Sequence, residues 1–323
     1  MAQSQQLKKD ESVEEAYFTL RSGHRIPALG LGTWKAETNV VRDAVYNAIV
    51  ECGYRHIDCA HIYGNEKEVG EGLQMAFDAG IKREDIFVTS KLWIKSCVPE
   101  KVRPALDTTL SDLGLKYVDL YLIHWPICLS EDASSPPKKG QVLPFDTVGV
   151  WREMEKLVEQ KLVRDIGVSN FTVKKLEHLL ANSTIKPSVN QVEMHPSWRN
   201  DNVLNYCKKE NIHVTAYSPL GSSSTDLFHA EEVIQTSEKV GKTPGEIMIR
   251  WLIQRGVSTI PKSSNKERIK ENMRVFDFKI PDEDMQKLSS VPTQKRTNPG
   301  GELIVTSEEE KESILREFWE GEL

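Results

Sequence analysis

The stretch YRHIDCAHIYGNE, residues 54–66, sets two histidines, an aspartate, a tyrosine and a glutamate close together. His56, Asp58 and His61 are residue types that ligate metals. Asp58 and Tyr63 are equally types that move protons. If the segment begins as a strand, the two-residue period puts His56 and Asp58 on one face and leaves His61 to the loop beyond. That arrangement approximates a metal site, but the chain contains no HExxH or other strong ligand spacing. Proton transfer and metal binding are therefore both open on these residues alone.

More polar residues stand at comparable places along the chain: Thr33, Lys91, His124, Ser169–Asn170, Gln191, Tyr217–Ser218 and Lys262. Each closes a short apolar run rich in Val, Ile, Leu or Tyr. The runs are ALGLGTW (28–34), RHIDCA (55–60), DIFVTSKL (85–92), VDLYLIHW (118–125), VRDIGVSN (163–170), SVNQVEM (188–194), HVTAYSPL (213–220) and VSTIPKSS (257–264). Continuous apolar strands of this kind suit a parallel sheet covered by helices.

The segments between them have helical period. In NVVRDAVYNAIVECG, Val40, Val41, Ala44, Val45 and Ala48 recur at helical spacing. PEKVRPALDTTLSDLG opens with Pro99 and is followed by Gly114, the usual asymmetry of helix ends. TVGVWREMEKLVEQK is a third such segment. Repeated strand–helix units without a linker composition predict a single α/β domain over 1–323, a (β/α)₈ TIM barrel. YFTLRSGHRIPAL alternates around Ser22–Gly23, a hairpin signal, and would cap the barrel bottom. The rival is a doubly wound dinucleotide fold, but its GxGxxG turn fails in GLGTWK, where Lys35 takes the third glycine's place.

Residues 1–15 are expected to be disordered. Three irregular segments are expected at the C-terminal face, where barrel active sites sit. They are CLSEDASSPPKKGQVLPFD (128–146), GSSSTDLFHA after the seventh run, and the tail 293–323, whose TNPGGELIV stretch would shape the substrate pocket.

Composition narrows the setting. Of 323 residues 39% are hydrophobic and 28% charged, with a formal net charge of −6 and no long basic run. This offers no general attraction to nucleic acid or anionic membranes. The polar N-terminus does not read as a signal peptide, and no apolar stretch is long enough to span a bilayer. A cytoplasmic location is expected. Five cysteines without CxxC spacing argue against a disulfide framework or a cysteine zinc site.

GLGTW, GYRHIDCAHIYGNEKEVG, FVTSKLW, DLYLIHWP, DIGVSNF, NQVEMHP, AYSPLG and IPKSSNKERIKEN, in order from Phe18 to Pro292, resemble the aldo-keto reductases, most closely the plant aldehyde/aldose reductase-like branch. The resemblance implies a catalytic set in which Tyr63 donates a proton to a substrate carbonyl, Asp58 and Lys91 support it, and His124 orients the carbonyl oxygen. A free phenol has a pKa of about 10. A neighbouring ammonium favours the phenolate, so Lys91 is expected to lower it. With Asp58 committed to Lys91 and a family that uses no metal, the metal reading recedes and His56 becomes a core residue.

No side chain donates a hydride, so a nicotinamide is required. The resemblance implies that Ser169, Asn170 and Gln191 hold the carboxamide, Tyr217 stacks on the ring, and Ser218, Leu220 and Ser222 follow the pyrophosphate. Gly32, Thr33, Trp34, Asp58 and Ile260 would add further contacts. Lys262, Ser263, Asn265, Arg268, Glu271 and Asn272 would hold the adenosine end, the two cations suiting the 2′-phosphate of NADPH. Trp34, Ile62, Tyr63, Trp93, His124 and Trp125 would bound a largely apolar pocket for a small-molecule carbonyl substrate. The expected reaction is NADPH-dependent reduction of aldehydes and some ketones by a monomer. The alternatives are a non-catalytic cofactor-binding or structural protein on the same fold, and a reductase dedicated to one specialised-metabolism ketone or sugar.

Overall fold

The computed structural model describes residues 16–223 and 225–322; the expected disorder of 1–15 lies outside them. Among the described residues, eight parallel strands pair in chain order: β1 (Leu31–Gly32), β2 (His56–Asp58), β3 (Phe87–Leu92), β4 (Val118–Ile123), β5 (Val163–Ser169), β6 (Val189–Glu193), β7 (His213–Tyr217) and β8 (Ser258–Thr259). Each lies within one of the eight apolar runs. Parallel bridges Leu29–Thr259 and Gly32–Lys262 join the last strand to the first and close the barrel.

That closure explains the glycines of GLGTWK. A Cβ at Gly32 would stand 2.7 Å from the Ile260 carbonyl oxygen, so the β1–β8 seam requires glycine there. The motif serves strand packing and not a phosphate turn. Tyr17–Thr19 and Arg25–Pro27 form the expected antiparallel hairpin. At its turn His24 Nδ1 lies 2.7 Å from Asp165 Oδ2 near the start of β5. This contact pins the hairpin to the N-terminal ends of the barrel strands.

The helices follow their local signals. Pro99–Leu113 carries proline in its first turn, where no N–H is needed, and ends at Gly114 with φ 65°. Thr147–Glu159 is capped by Asp146, whose carboxylate accepts from Gly149 N at 2.8 Å. The first segment departs from expectation: Thr38–Tyr46 is α-helical, but Asn47–Glu51 widens into a π turn. Val40 there faces solvent, while Val41, Ala44, Val45 and Ala48 are buried.

The three irregular segments have structure of their own. Cys128–Leu129 pairs with Val142–Leu143 as a small hairpin. The segment after β7 makes a 3₁₀ turn, Gly221–Ser223, and a short helix, Thr225–Phe228. The tail forms two helices, Gly301–Ile304 and Lys311–Phe318. Ile94, Trp125, Leu129, Ile304 and Trp319 gather into an apolar cluster that seats tail and hairpin on the rim. No helix among the described residues is long and apolar enough to cross a membrane.

Candidate active site

β2 and β3 pair so that Asp58 and Thr89 are level, placing Lys91 beyond Asp58 at the top of the neighbouring strand. Lys91 is fully buried. Its ammonium donates to Asp58 Oδ1 at 2.5 Å, to the Cys59 carbonyl at 2.8 Å and to the Tyr63 hydroxyl at 3.3 Å. Three acceptors satisfy three donors, which is what a buried ammonium requires. Burial alone would favour neutral lysine, but the charge and hydrogen bonds of Asp58 and Tyr63 hold the ammonium charged. The other oxygen of Asp58 accepts from Gln191 Nε2 at 2.8 Å, so β6 locks the carboxylate in place.

Tyr63 ends the 3₁₀ turn His61–Tyr63 that leaves β2, and Gly64 at φ 67° reverses the chain after it. Lys91 lowers the phenol's pKa as expected, but the net shift is upward. Burial pushes Tyr63 up to about 12, and the nearby ammonium offsets only part of that rise. Lys91 acts in the expected direction, but desolvation of the phenolate wins. The hydroxyl is therefore fully protonated around neutrality. His124 stands edge-on to Tyr63 with ring centroids 5.8 Å apart and to Trp93 at 5.2 Å. Its burial, reinforced by Lys91, drives its pKa well below the usual range and keeps the imidazole neutral.

These side chains meet at a cavity of about 550 Å³ at the C-terminal face. Trp34, Ile62, Tyr63, Trp93, His124 and Trp125 all line it, as do Gly32, Asp58, Ser169, Asn170, Gln191, Tyr217, Ser218, Leu220, Ser222, Ile260 and Lys262. The Tyr217 hydroxyl donates to Asn170 Oδ1 at 2.7 Å, and Asn170 Nδ2 donates to the His124 carbonyl at 3.0 Å. A chain of contacts thus runs from β7 through β5 to β4. Lys35, Asn170, Ser218 and Ser222 adopt positive φ and all line the cavity. Strained non-glycine backbone of this kind gathers where a site must be shaped.

Other expected residues lie apart from the cavity. Thr33 is buried and donates to the Asp58 carbonyl oxygen at 2.9 Å. Asn265 caps the helix Lys266–Met273 by accepting from Arg268 N at 3.1 Å. Arg268 is exposed near that helix start, and Ser263 lies just before it. Glu271 accepts from the Thr243 hydroxyl at 2.6 Å, and Asn272 is buried against Tyr54.

The metal reading of the opening motif does not assemble. His56 is buried in the barrel with Nε2 2.9 Å from Thr89 Oγ1, and a Cβ at Gly30 would run into its ring at 2.7 Å. Burial, with the Lys91 charge, pushes His56 down to about 3, so it stays neutral. Asp58 is committed to Lys91 and Gln191, and His61 points instead toward Glu66, with Nδ1 3.9 Å from its carboxylate. Prolonged treatment with a strong chelator is therefore expected to leave carbonyl-reducing turnover unchanged. Loss of activity restored by zinc would contradict this assignment.

The TNPGGELIV stretch reaches the cavity as expected, through Asn298, Gly300, Glu302 and Leu303, which sequence reasoning had not named one by one. Buried Glu193, at the end of β6, places them. Its carboxylate accepts from Thr297 N at 2.6 Å, Asn298 N at 2.8 Å and Thr297 Oγ1 at 2.5 Å, with His195 Nε2 at 2.9 Å. Asn298 then donates to Ser218 Oγ at 3.3 Å and Ser222 Oγ at 3.0 Å, joining the tail to the segment after β7. Gly300, at φ 75°, lies so close to Trp125 that a Cβ would meet the indole at 2.7 Å. The glycine pair in TNPGGELIV is the one local signal of this close approach.

The model of the aldo/keto reductase family matches residues 28–292. Aldo-keto reductase family 4 member C11 of Arabidopsis thaliana is 42% identical over 316 residues, covering 96% of this chain and 99% of the relative. The aldose reductase structure from Schistosoma japonicum superposes with a TM-score of 0.82 at 40% identity, covering 87% of this chain and 93% of that one. A Bombyx mori aldo-keto reductase solved in complex with NADP gives 0.81 at 36% identity, covering 87% and 94%. With the closed barrel and the rim site in place, these matches establish that the chain belongs to the aldo/keto reductase family of NAD(P)-dependent oxidoreductases.

Proposed function

We propose that the protein reduces aldehydes and some ketones to alcohols with NADPH, with Tyr63 as the proton donor. The observation that carries this reading is the buried Asp58–Lys91 pair with the half-buried Tyr63 hydroxyl beside it, opening onto the cavity next to His124. The cavity's donor set fits a nicotinamide dinucleotide. Asn170 and Gln191 supply amides, Tyr217 an aromatic ring, Ser218 and Ser222 hydroxyls, and Lys262 an ammonium. When bound, the cofactor supplies the hydride from nicotinamide C4.

The chain's own residues do the rest. Neutral His124 donates one hydrogen bond to the carbonyl oxygen and holds it toward the Tyr63 hydroxyl. As negative charge develops on that oxygen, Tyr63 gives up its proton, and Lys91 stabilises the phenolate left behind. Asp58 keeps Lys91 charged and fixed, so the charge does not have to be assembled during the reaction. Trp34, Trp93, Trp125 and Leu303 supply apolar walls that keep water from the reacting carbon. Sites of this composition fix orientation through a few polar groups and accept varied apolar substituents. Loss of NADPH absorbance with a reactive aldehyde tests the reading; an inert mixture across aldoses, unsaturated aldehydes, methylglyoxal, steroids and bulky ketones would overturn it.

A further inference from the structure

The charged groups around the cavity are unevenly placed. Lys35, Asp58, Lys262 and Glu302 are the charged residues that line it. Asp58 is matched by Lys91. Lys35 follows β1 and Lys262 follows β8, so both cations stand over the seam that closes the barrel. The Lys35 ammonium lies over the Trp34 ring, 4.3 Å from its centroid. Glu302 comes from the far side. Its helix Gly301–Ile304 follows Gly300, which packs on Trp125 just beyond β4, four strands away from β8.

The backbone that carries Glu302 is held in place. Ser135 Oγ, between Leu129 and Val142, donates to the Glu302 carbonyl at 3.2 Å, and Leu303 N donates to the Gly300 carbonyl at 2.9 Å. The Glu302 side chain is exposed, and among the described residues no cation pairs with it. Its charge reaches the Tyr217 hydroxyl on the cavity wall and, like burial, opposes ionisation of that phenol. Arg296, the cation felt by the same hydroxyl, is buried against Trp198 and Trp319 and does not line the cavity. Resting on the reading of the cavity as a carbonyl-reducing site, we propose that Glu302 is a specificity-determining residue. Its carboxylate disfavours substrates that carry an anionic group beside the carbonyl-bearing part and favours neutral or cationic ones.

The neighbouring walls explain why one charge suffices. Trp93, Trp125 and Leu303 belong to one apolar cluster, so a charged substituent held against them gives up water and needs a counter-charge. A carboxylate there meets Glu302 and finds both cavity cations over the opposite seam. An ammonium group finds its partner. Because Glu302 faces solvent, screening keeps the discrimination to roughly 3- to 10-fold in kcat/KM.

The test is kcat/KM with NADPH for wild type, Glu302→Gln and Glu302→Lys on three benzaldehydes of similar size. One carries a para nitro group, one a carboxylate and one a trimethylammonium. The readout is the carboxylate-to-nitro and the ammonium-to-nitro ratio, each compared across the proteins so that ring electronics cancel. Glu302→Gln should raise the first ratio roughly 3- to 10-fold and lower the second by a similar factor, and Glu302→Lys should move both further in the same directions. Raised salt should shrink these changes. A loss of packing alone would not sort substrates by the sign of their charge. Ratios that stay at the wild-type values in both variants, or that both move the same way, overturn the proposal. Failure of wild type to reduce any of the three while it binds NADPH would strike the underlying reading of the site, and the charge preference with it.

Discussion

Tyr63→Phe is expected to lower turnover by at least the ~10²-fold typical of general acid catalysis while leaving NADPH affinity nearly intact. The substitution removes one hydroxyl, whose one protein contact named above is the 3.3 Å bond from Lys91. Lys91 keeps its bonds to Asp58 and the Cys59 carbonyl, so the buried ion pair survives. The loss of one weak, partly exposed bond should change folding stability by no more than about 1 kcal/mol. A loss of turnover without a loss of fold or cofactor binding separates chemistry from architecture. Stopped-flow turnover, thermal melts and fluorescence titration with NADPH measure the three quantities. Turnover within a few-fold of wild type would remove Tyr63 as the acid.

Lys262→Met should weaken NADPH binding far more than NADH binding. Lys262 follows the β8 seam, is exposed and lines the cavity. If its ammonium meets the 2′-phosphate, NADH offers it nothing. A hydrogen bond to a charged group is worth about 1.5–3 kcal/mol, roughly 10- to 150-fold in affinity. Because the lysine is solvent-facing, screening should bring the effect toward the lower end of that range. Raised salt should erode the wild-type preference for NADPH in the same direction. Fluorescence titrations of both cofactors against both proteins check this, and equal losses for the two would mean that Lys262 touches something other than that phosphate.

The barrel was legible because each strand carries a continuous apolar run and each intervening segment carries its own caps, such as Pro99 with Gly114. These are local signals, and they survive folding. The residues brought together at the rim were legible for the same reason: Asp58, His124 and Tyr217 lie at or just beyond strand ends, with Lys91 and Gln191 within two residues of theirs, and barrel closure places such ends around one mouth.

What escaped was set by distance along the chain or by burial. Glu193 holds Thr297 and Asn298 across more than a hundred residues, and no periodicity in TNPGGELIV announces that partner. The π turn at Asn47–Glu51 departs from a pattern that reads as regular helix. Residue types alone bring Lys91 to the phenol but do not reveal how strongly desolvation opposes its ionisation. Glu66 reads as an ordinary acidic residue in a helix's first turn, and only the packing of Ser90 and Thr109 against it gives it a different character.

The most direct measurement follows the hydride itself. NADPH deuterated at the transferring position of nicotinamide C4 is mixed with a reactive aldehyde and the enzyme, and the alcohol is examined by mass spectrometry and NMR. The account predicts one deuterium on the carbinol carbon of the product, formed in step with loss of NADPH absorbance and suppressed in Tyr63→Phe. Alcohol formed without the label, or no alcohol at all while the protein binds NADPH, would contradict it.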